Sequence, residues 1–148
     1  ARELVGSIQA SLPLIEAMPS LRDPGPGSQP HLTAKVMEAE VHPAFKAGLL
    51  LYLDELDMSH TISQGISTPL GSWWHAIMHR REGDFWNSHY WLDRACSHPF
   101  FKDSPVNPRE LVDDCDQDLG RDQPSLVKRQ RQEWQALMDW MLQHEDRL

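Results

Sequence analysis

Five of the eight histidines and four of the six tryptophans of this 148-residue chain fall between Asp57 and Pro99. That stretch, DMSHTISQGISTPLGSWWHAIMHRREGDFWNSHYWLDRACSHP, sets groups able to move protons, bind metals or grip anions among large aromatics. An imidazole ordered by a carboxylate is a general base near neutral pH, and an arginine beside it holds an anionic substrate. His60 or His79 is the candidate base, Asp57 or Glu82 its orienter, and Arg81 the anion clamp, with Arg80 or Arg81 at the edge of the site. His60, His75 and His79 with a carboxylate could also hold a divalent transition metal such as zinc, iron or copper. Gln64, Asp84, Asn87 and Trp91 complete the ligand-binding set expected around them.

These residues need helices to bring them together. At about 100° per residue, Asp57, His60, Thr61 and Gln64 share one face of a helix over 57–66, with Met58, Ile62 and Ile66 on another edge. Ser67-Thr68-Pro69 ends that helix, because the residue before proline is driven out of the α region. A second helix runs from about Gly71 to Glu82. On it His75, His79 and Glu82 lie within about 60° of one another, opposite Trp73, Trp74, Ile77 and Met78. Arg81 projects among those apolar residues and needs a carboxylate, for which Asp57 and Asp84 are the candidates. If the His60 face meets the His75/His79 face, the hairpin encloses a polar pocket. His75-x-x-x-His79 lacks the glutamate that follows the first histidine in zinc proteases, so no protease motif is present.

After the Gly83-Asp84 turn, a helix over 85–96 places Phe85, Ser88, His89, Leu92 and Ala95 on one side, with Trp86, Asn87, Tyr90 and Arg94 opposite. Aromatics on both sides imply burial on both sides, or a ligand or partner covering one. His89 and Cys96 are expected in the core. Two other readings therefore stand beside the small-molecule site. In one the cluster is a satisfied internal hydrogen-bond network, and in the other the chain is a non-catalytic module that docks a protein through Trp86 and Tyr90.

The remaining chain is helical as well. Residues 2–18 have helical spacing, with Pro13 a kink or break. The Pro/Gly-rich segment 19–31 is a long exposed loop, lid or tether. A short helix over 32–40 precedes one opened by Pro43 and running to about Glu55, with Phe45, Leu49, Tyr52, Leu53 and Leu56 inward. Asn107-Pro108 opens another that Gly120 closes. A last helix from Pro124 buries Val127, Trp134, Leu137, Met138 and Met141. No sustained period-two pattern occurs. The expectation is an all-α fold, a single helical-bundle domain over 1–148 with about seven helices.

The run GDFWNSHYWLDRACSHP resembles the second helix of a tetratricopeptide repeat, through Gly83, Phe85, Ser88, Leu92, Ala95 and Pro99. Ser72, His75, Ala76 and His79 depart from that repeat's first helix, so the resemblance implies a packed helical hairpin over about twenty residues. The wider run, LDxSHTISQ followed by TPxGSxWHAIMHRREGDxxNSxYW, is similar to a family of uncharacterised proteins in bacteria and fungi. It covers about half the chain and implies no catalytic residues.

Net charge is −8, which argues against nucleic acid or an anionic membrane as the main partner. The longest apolar run, Ala47–Leu53, is too short to span a bilayer. Cys96 and Cys115 form no disulfide framework and suit a reducing cytoplasm. Neither looks like a nucleophile, and Ser59 and Ser63 lack the glycines of a serine-hydrolase elbow. The acidic run DDCDQD misses a calcium loop's glycine by one place and has Ser125 where a bidentate glutamate belongs, so it reads as solvated. The basic run KRQR at 128–131 would face it. His98-Pro99 reads as a helix terminator, and His31, His42 and His144 lie outside the cluster.

Overall fold

Five helices open on a proline at their first turn, where the missing N–H costs no hydrogen bond. The computed structural model describes residues 1–148 and contains no strand. Its helices are α1 (Arg2–Ser11), α2 (Pro30–Glu38), α3 (Pro43–Tyr52), α4 (Leu56–Ser63), α5 (Pro69–Glu82), α6 (Phe85–Ala95), α7 (Pro108–Gln117) and α8 (Pro124–Gln143). The fold is all-α, with eight helices where the sequence pattern suggested about seven. No helix is long and apolar enough to cross a membrane.

α5 is the centre. Every residue from Leu70 to Arg81 is buried, so the helix is enclosed on all sides. Trp73 and Trp74 pack beneath α8, where Trp134, Leu137, Met138 and Met141 form the inward stripe. Gly48 lets α3 approach, since a Cβ there would lie 2.7 Å from the Trp74 ring. The Trp134 indole N–H donates to the Gly48 carbonyl at 2.7 Å. α5 stops at Gly83, whose φ of 85° is left-handed, and α6 follows at once with Asp84 accepting from the Asn87 amide. The α5–α6 pair is the most extensively packed in the molecule.

Helix α1 ends at Ser11 because Pro13 holds Leu12 extended, so the proline is the break expected within 2–18. Two expectations need correction. The segment 19–29 is no free tether. Leu21 is buried, the Leu21 and Asp23 amides donate to Asp122 and to the Arg81 carbonyl, and the Gly27 amide donates to Glu55. α6 buries only one side: Trp86 and Tyr90 stand 75% and 40% exposed, His89 is half-exposed and bonded to Asp113, and Cys96 is exposed. His89 and Cys96 thus fall outside the core, beyond the stripe of Ser88, Leu92 and Ala95.

The two arginines of α5 are consumed within the fold. Arg80 donates to Glu133 at 2.7 Å and Gln130 at 3.4 Å on α8. Arg81 donates to the Leu51 carbonyl in the last turn of α3, to the Ser20 carbonyl, and to Asp54 at 2.8 Å. Its carboxylate partner is therefore Asp54, not Asp57 or Asp84. The guanidinium meets the carbonyl end of α3, where orphan acceptors and the helix dipole both favour a cation.

Removing one member of a buried ion pair leaves an uncompensated charge. Glu133→Ala should destabilise the protein by about 3–5 kcal/mol in urea unfolding. Asp54→Ala should cost clearly less, because Arg81 keeps two carbonyl acceptors and Asp54 is part-exposed. Equal costs would contradict this ordering.

Candidate functional site

His60 on α4 and His75 and His79 on α5 come together because two hydroxyls and a glycine fix the helices around them. Ser59 Oγ donates to the Ala47 carbonyl at 2.8 Å, pinning α4 to α3 one residue before His60. Gly71 allows the turn after α4 to lie against α5, where a Cβ would sit 2.3 Å from the Ile66 carbonyl oxygen. Ser88 Oγ donates to the Ala76 carbonyl at 2.7 Å, fixing α6 across α5 and bringing Trp91 over His75.

The three imidazoles converge. Ring centroids lie 4.7 Å apart for His60–His75, 5.3 Å for His60–His79 and 4.8 Å for His75–His79. Trp91 stacks on His75 at 3.9 Å and 16°. One ring nitrogen from each histidine fits in a set whose members all lie within 4.8 Å of one another, so these residues could hold a metal ion. His79 Nδ1 is 2.6 Å from Glu82 Oε1, and His79, Glu82 and Asp84 form a second set within the same span.

Their surroundings differ in consequence. His75 is 3% exposed and its Nδ1 has no hydrogen-bond partner. Burial, with smaller contributions from the neighbouring His79 and His60, pushes its pKa down to about 3, so the ring is neutral. Asp84 is held below the ordinary carboxylate range, chiefly by the hydrogen bond from the Asn87 side chain at 2.6 Å. Away from the cluster, His98 is buried between Trp73 and Trp140 and accepts from the Phe100 amide; burial pushes its pKa down to about 4.

Not every expected residue joins the cluster. The three rings stand close together, with centroids 4.7 to 5.3 Å apart. The neighbouring opening is a groove of about 600 Å³ lined by Asp23, Asp54, Glu55, Asp57 and Glu82 with the Pro24–Pro26 turn. Asp57 belongs to that groove, and Gln64 is exposed at the end of α4. Arg80 and Arg81, 1% and 0% exposed, cannot clamp a ligand here. Asn87 serves Asp84, and Trp91 serves as the wall behind His75.

The sequence reading missed Asp54, Glu133 and Gln130 as partners of the arginines. Gln130 and Glu133 stand at helical spacing in the apolar stripe of α8, a signal that something charged faces them. It also missed tasks for two outlying histidines. His42 Nδ1 accepts from the Ala44 amide to cap α3, and His144 bonds to the Trp140 carbonyl. Arg129 does pair with Asp114 at 2.7 Å, as the facing charge runs suggested.

No protein-family model, no curated protein and no solved structure matches this chain.

The two depressed histidines give a pH dependence of definite sign. An unfolded imidazole takes a proton near 6.5, while the folded rings refuse it until about 3 for His75 and about 4 for His98. The unfolded state then binds more protons, so stability is lost as pH falls through that window. The slope should approach roughly 1.4 kcal/mol per pH unit for each ring. Urea unfolding of metal-free protein between pH 7 and 4.5 measures it, and His98→Gln should remove one ring's share. A flat profile would mean that both rings protonate freely in the fold.

Proposed function

We propose that the His60/His75/His79/Glu82 cluster is a small-molecule site with hydrolase- or lyase-type acid/base chemistry. The observation that carries this reading is the 2.6 Å contact between His79 Nδ1 and Glu82. A carboxylate that accepts from Nδ1–H leaves Nε2 with its lone pair free to take a proton, the arrangement of a general base. His60, half-exposed and 5.3 Å away by ring centroid, is the second imidazole available for proton transfer. The ligand is proposed to be a small anionic molecule. With both arginines spent inside the fold, the positive charge that holds an anion has to come from the cluster itself. The acidic groove beside it favours ligands of low negative charge. The free cysteines support a reducing, cytoplasmic setting.

A second reading is favoured by one observation. Trp86 and Tyr90 are both exposed and lie parallel, 6.0 Å apart at 3°, with the Arg94 guanidinium 5.3 Å over Tyr90. Exposed aromatics with an arginine are the residue types enriched in protein–protein hot spots, so this face of α6 would dock a protein partner.

Turnover of a panel of small carboxylic esters and phosphate monoesters tests the first reading. His79→Asn should lower kcat by about 10²–10⁴-fold, and Glu82→Gln should lower it less while shifting the pH profile. Variants as active as the parent, or no turnover of any compound, would defeat it. For the second reading, Trp86→Ser with Tyr90→Ser should leave stability within about 0.5 kcal/mol. Turnover should be unchanged while binding to a partner is abolished.

A further inference from the structure

We propose that His60, His75 and His79 form a three-histidine site for a divalent first-row transition metal, with zinc the best match. The inference rests on the small-molecule reading above for its purpose and changes the base. With a metal on His79 Nε2 that nitrogen could no longer take a proton, and the metal would instead activate the attacking water.

A self-sufficient polar network is the first alternative, and the cluster does not behave as one. In such a network each buried nitrogen has a partner. Here one contact with Glu82 serves His79 and no hydrogen bond joins the three rings. His75 Nδ1 is buried with no partner, as are Nε of Arg80 and Arg81, so it is the lack of any bond among the gathered rings that marks the cluster. A neutral imidazole has one lone-pair nitrogen, and three such nitrogens within 4.8 Å of one another, with no hydrogen bond among them, repel unless a cation sits between them.

The donor set fits a metal of this class. Neutral imidazole suits zinc, copper, iron and nickel, and three protein ligands with one open position is the arrangement of catalytic zinc sites. Arms of about 2.05 Å in a tetrahedron put ligand nitrogens roughly 3.4 Å apart. Reaching that from a span of 4.8 Å requires a small inward rotation. His60, half-exposed at the edge of α4, has room to make it. The remaining parts resemble a supporting shell. Glu82 engages Nδ1 of His79, which leaves Nε2 as the nitrogen offered, and the Trp91 stack fixes the plane of His75.

Two further features point to a cation at this place. The groove beside the cluster is lined by Asp23, Asp54, Glu55, Asp57 and Glu82, a field that attracts divalent ions. No guanidinium reaches the cluster to oppose one. The rival set, His79 with Glu82 and Asp84, is less suited. Asp84 already caps α6 and accepts from the Asn87 side chain, and Glu82 is occupied by His79. Once bound, the metal would supply the positive charge for an anionic ligand that the arginines do not.

The test uses the full chain, stripped with a chelator and titrated with Zn²⁺ by calorimetry and with Co²⁺ by visible absorption. One equivalent should bind, with the intense d–d bands of four-coordinate Co²⁺, and should raise Tm. Changing a supporting carboxylate costs about 10–100-fold in metal affinity, so Glu82→Gln should weaken binding within that range. His60→Ala, a half-exposed change that preserves the fold, should weaken it further. His31→Ala should have no effect. Absence of stoichiometric binding, or His60→Ala binding as tightly as the parent, overturns the proposal. Stoichiometric metal with no turnover of any compound supports the site and defeats only the catalytic reading. Undiminished turnover by protein that takes up no metal does the reverse.

Discussion

One helix carrying charged and aromatic side chains is surrounded on every side, and the rest of the molecule answers to that constraint. Twelve consecutive residues of α5, Leu70 to Arg81, are buried, and among them are two imidazoles and two guanidiniums. A buried charge costs several kcal/mol unless it is paired and hydrogen-bonded. Each of those four groups therefore dictates what must lie opposite it. The tryptophans on the same helix give the apolar burial that holds it in place, with Trp73 and Trp74 fully enclosed.

The arginines and the histidines meet the demand in different ways. Arg80 takes Glu133 and Gln130, which ties α5 to α8 through the middle of the core. Arg81 takes the carbonyl end of α3, Asp54 and the Ser20 carbonyl, which fastens the 19–29 segment to the bundle. In both cases the charge becomes a structural fastening and is lost to any ligand. His75 is treated otherwise: it is enclosed, stacked on Trp91, kept neutral and given no acceptor or donor at Nδ1. Each guanidinium is tied through its terminal nitrogens to an acid, with only Nε left unpartnered, whereas no hydrogen bond joins the His75 ring to anything.

Much of the helical framework was legible in the chain because prolines, asparagine and glycine mark it. Pro43, Asn107-Pro108, Pro124 and Gly83 all act where local rules place them. The convergence of His60 with His75 and His79 also followed from facing helices. What local rules could not give was partnership across the fold. Arg81 pairs with Asp54, 27 positions away on a segment with no pattern of its own. Arg80 pairs with Glu133, 53 positions away, and a helical wheel of α5 alone says nothing of α8. Periodicity likewise fixes which face a ring occupies, not how closely rings on neighbouring helices approach. His89 and Cys96 were misplaced because α6 presents a narrower buried stripe than its aromatic content implied.

The exposed aromatics of α6 and the histidine cluster are linked by a run of ring contacts. Trp86 lies parallel to Tyr90, Tyr90 meets Trp91 edge-on at 5.3 Å, and Trp91 stacks on His75. Arg94 sits 5.3 Å over both Tyr90 and Trp91. The chain of contacts thus runs from solvent to the buried imidazole through three rings. The run crosses from surface to interior at Trp91. Trp86 and Tyr90 stand in solvent with room to reorient, whereas His75 is held by burial on the far side of Trp91. Close packing limits movement only in the interior. Trp91 therefore belongs to the wall of the cluster, and the exposed pair outside it can change without displacing the buried imidazole.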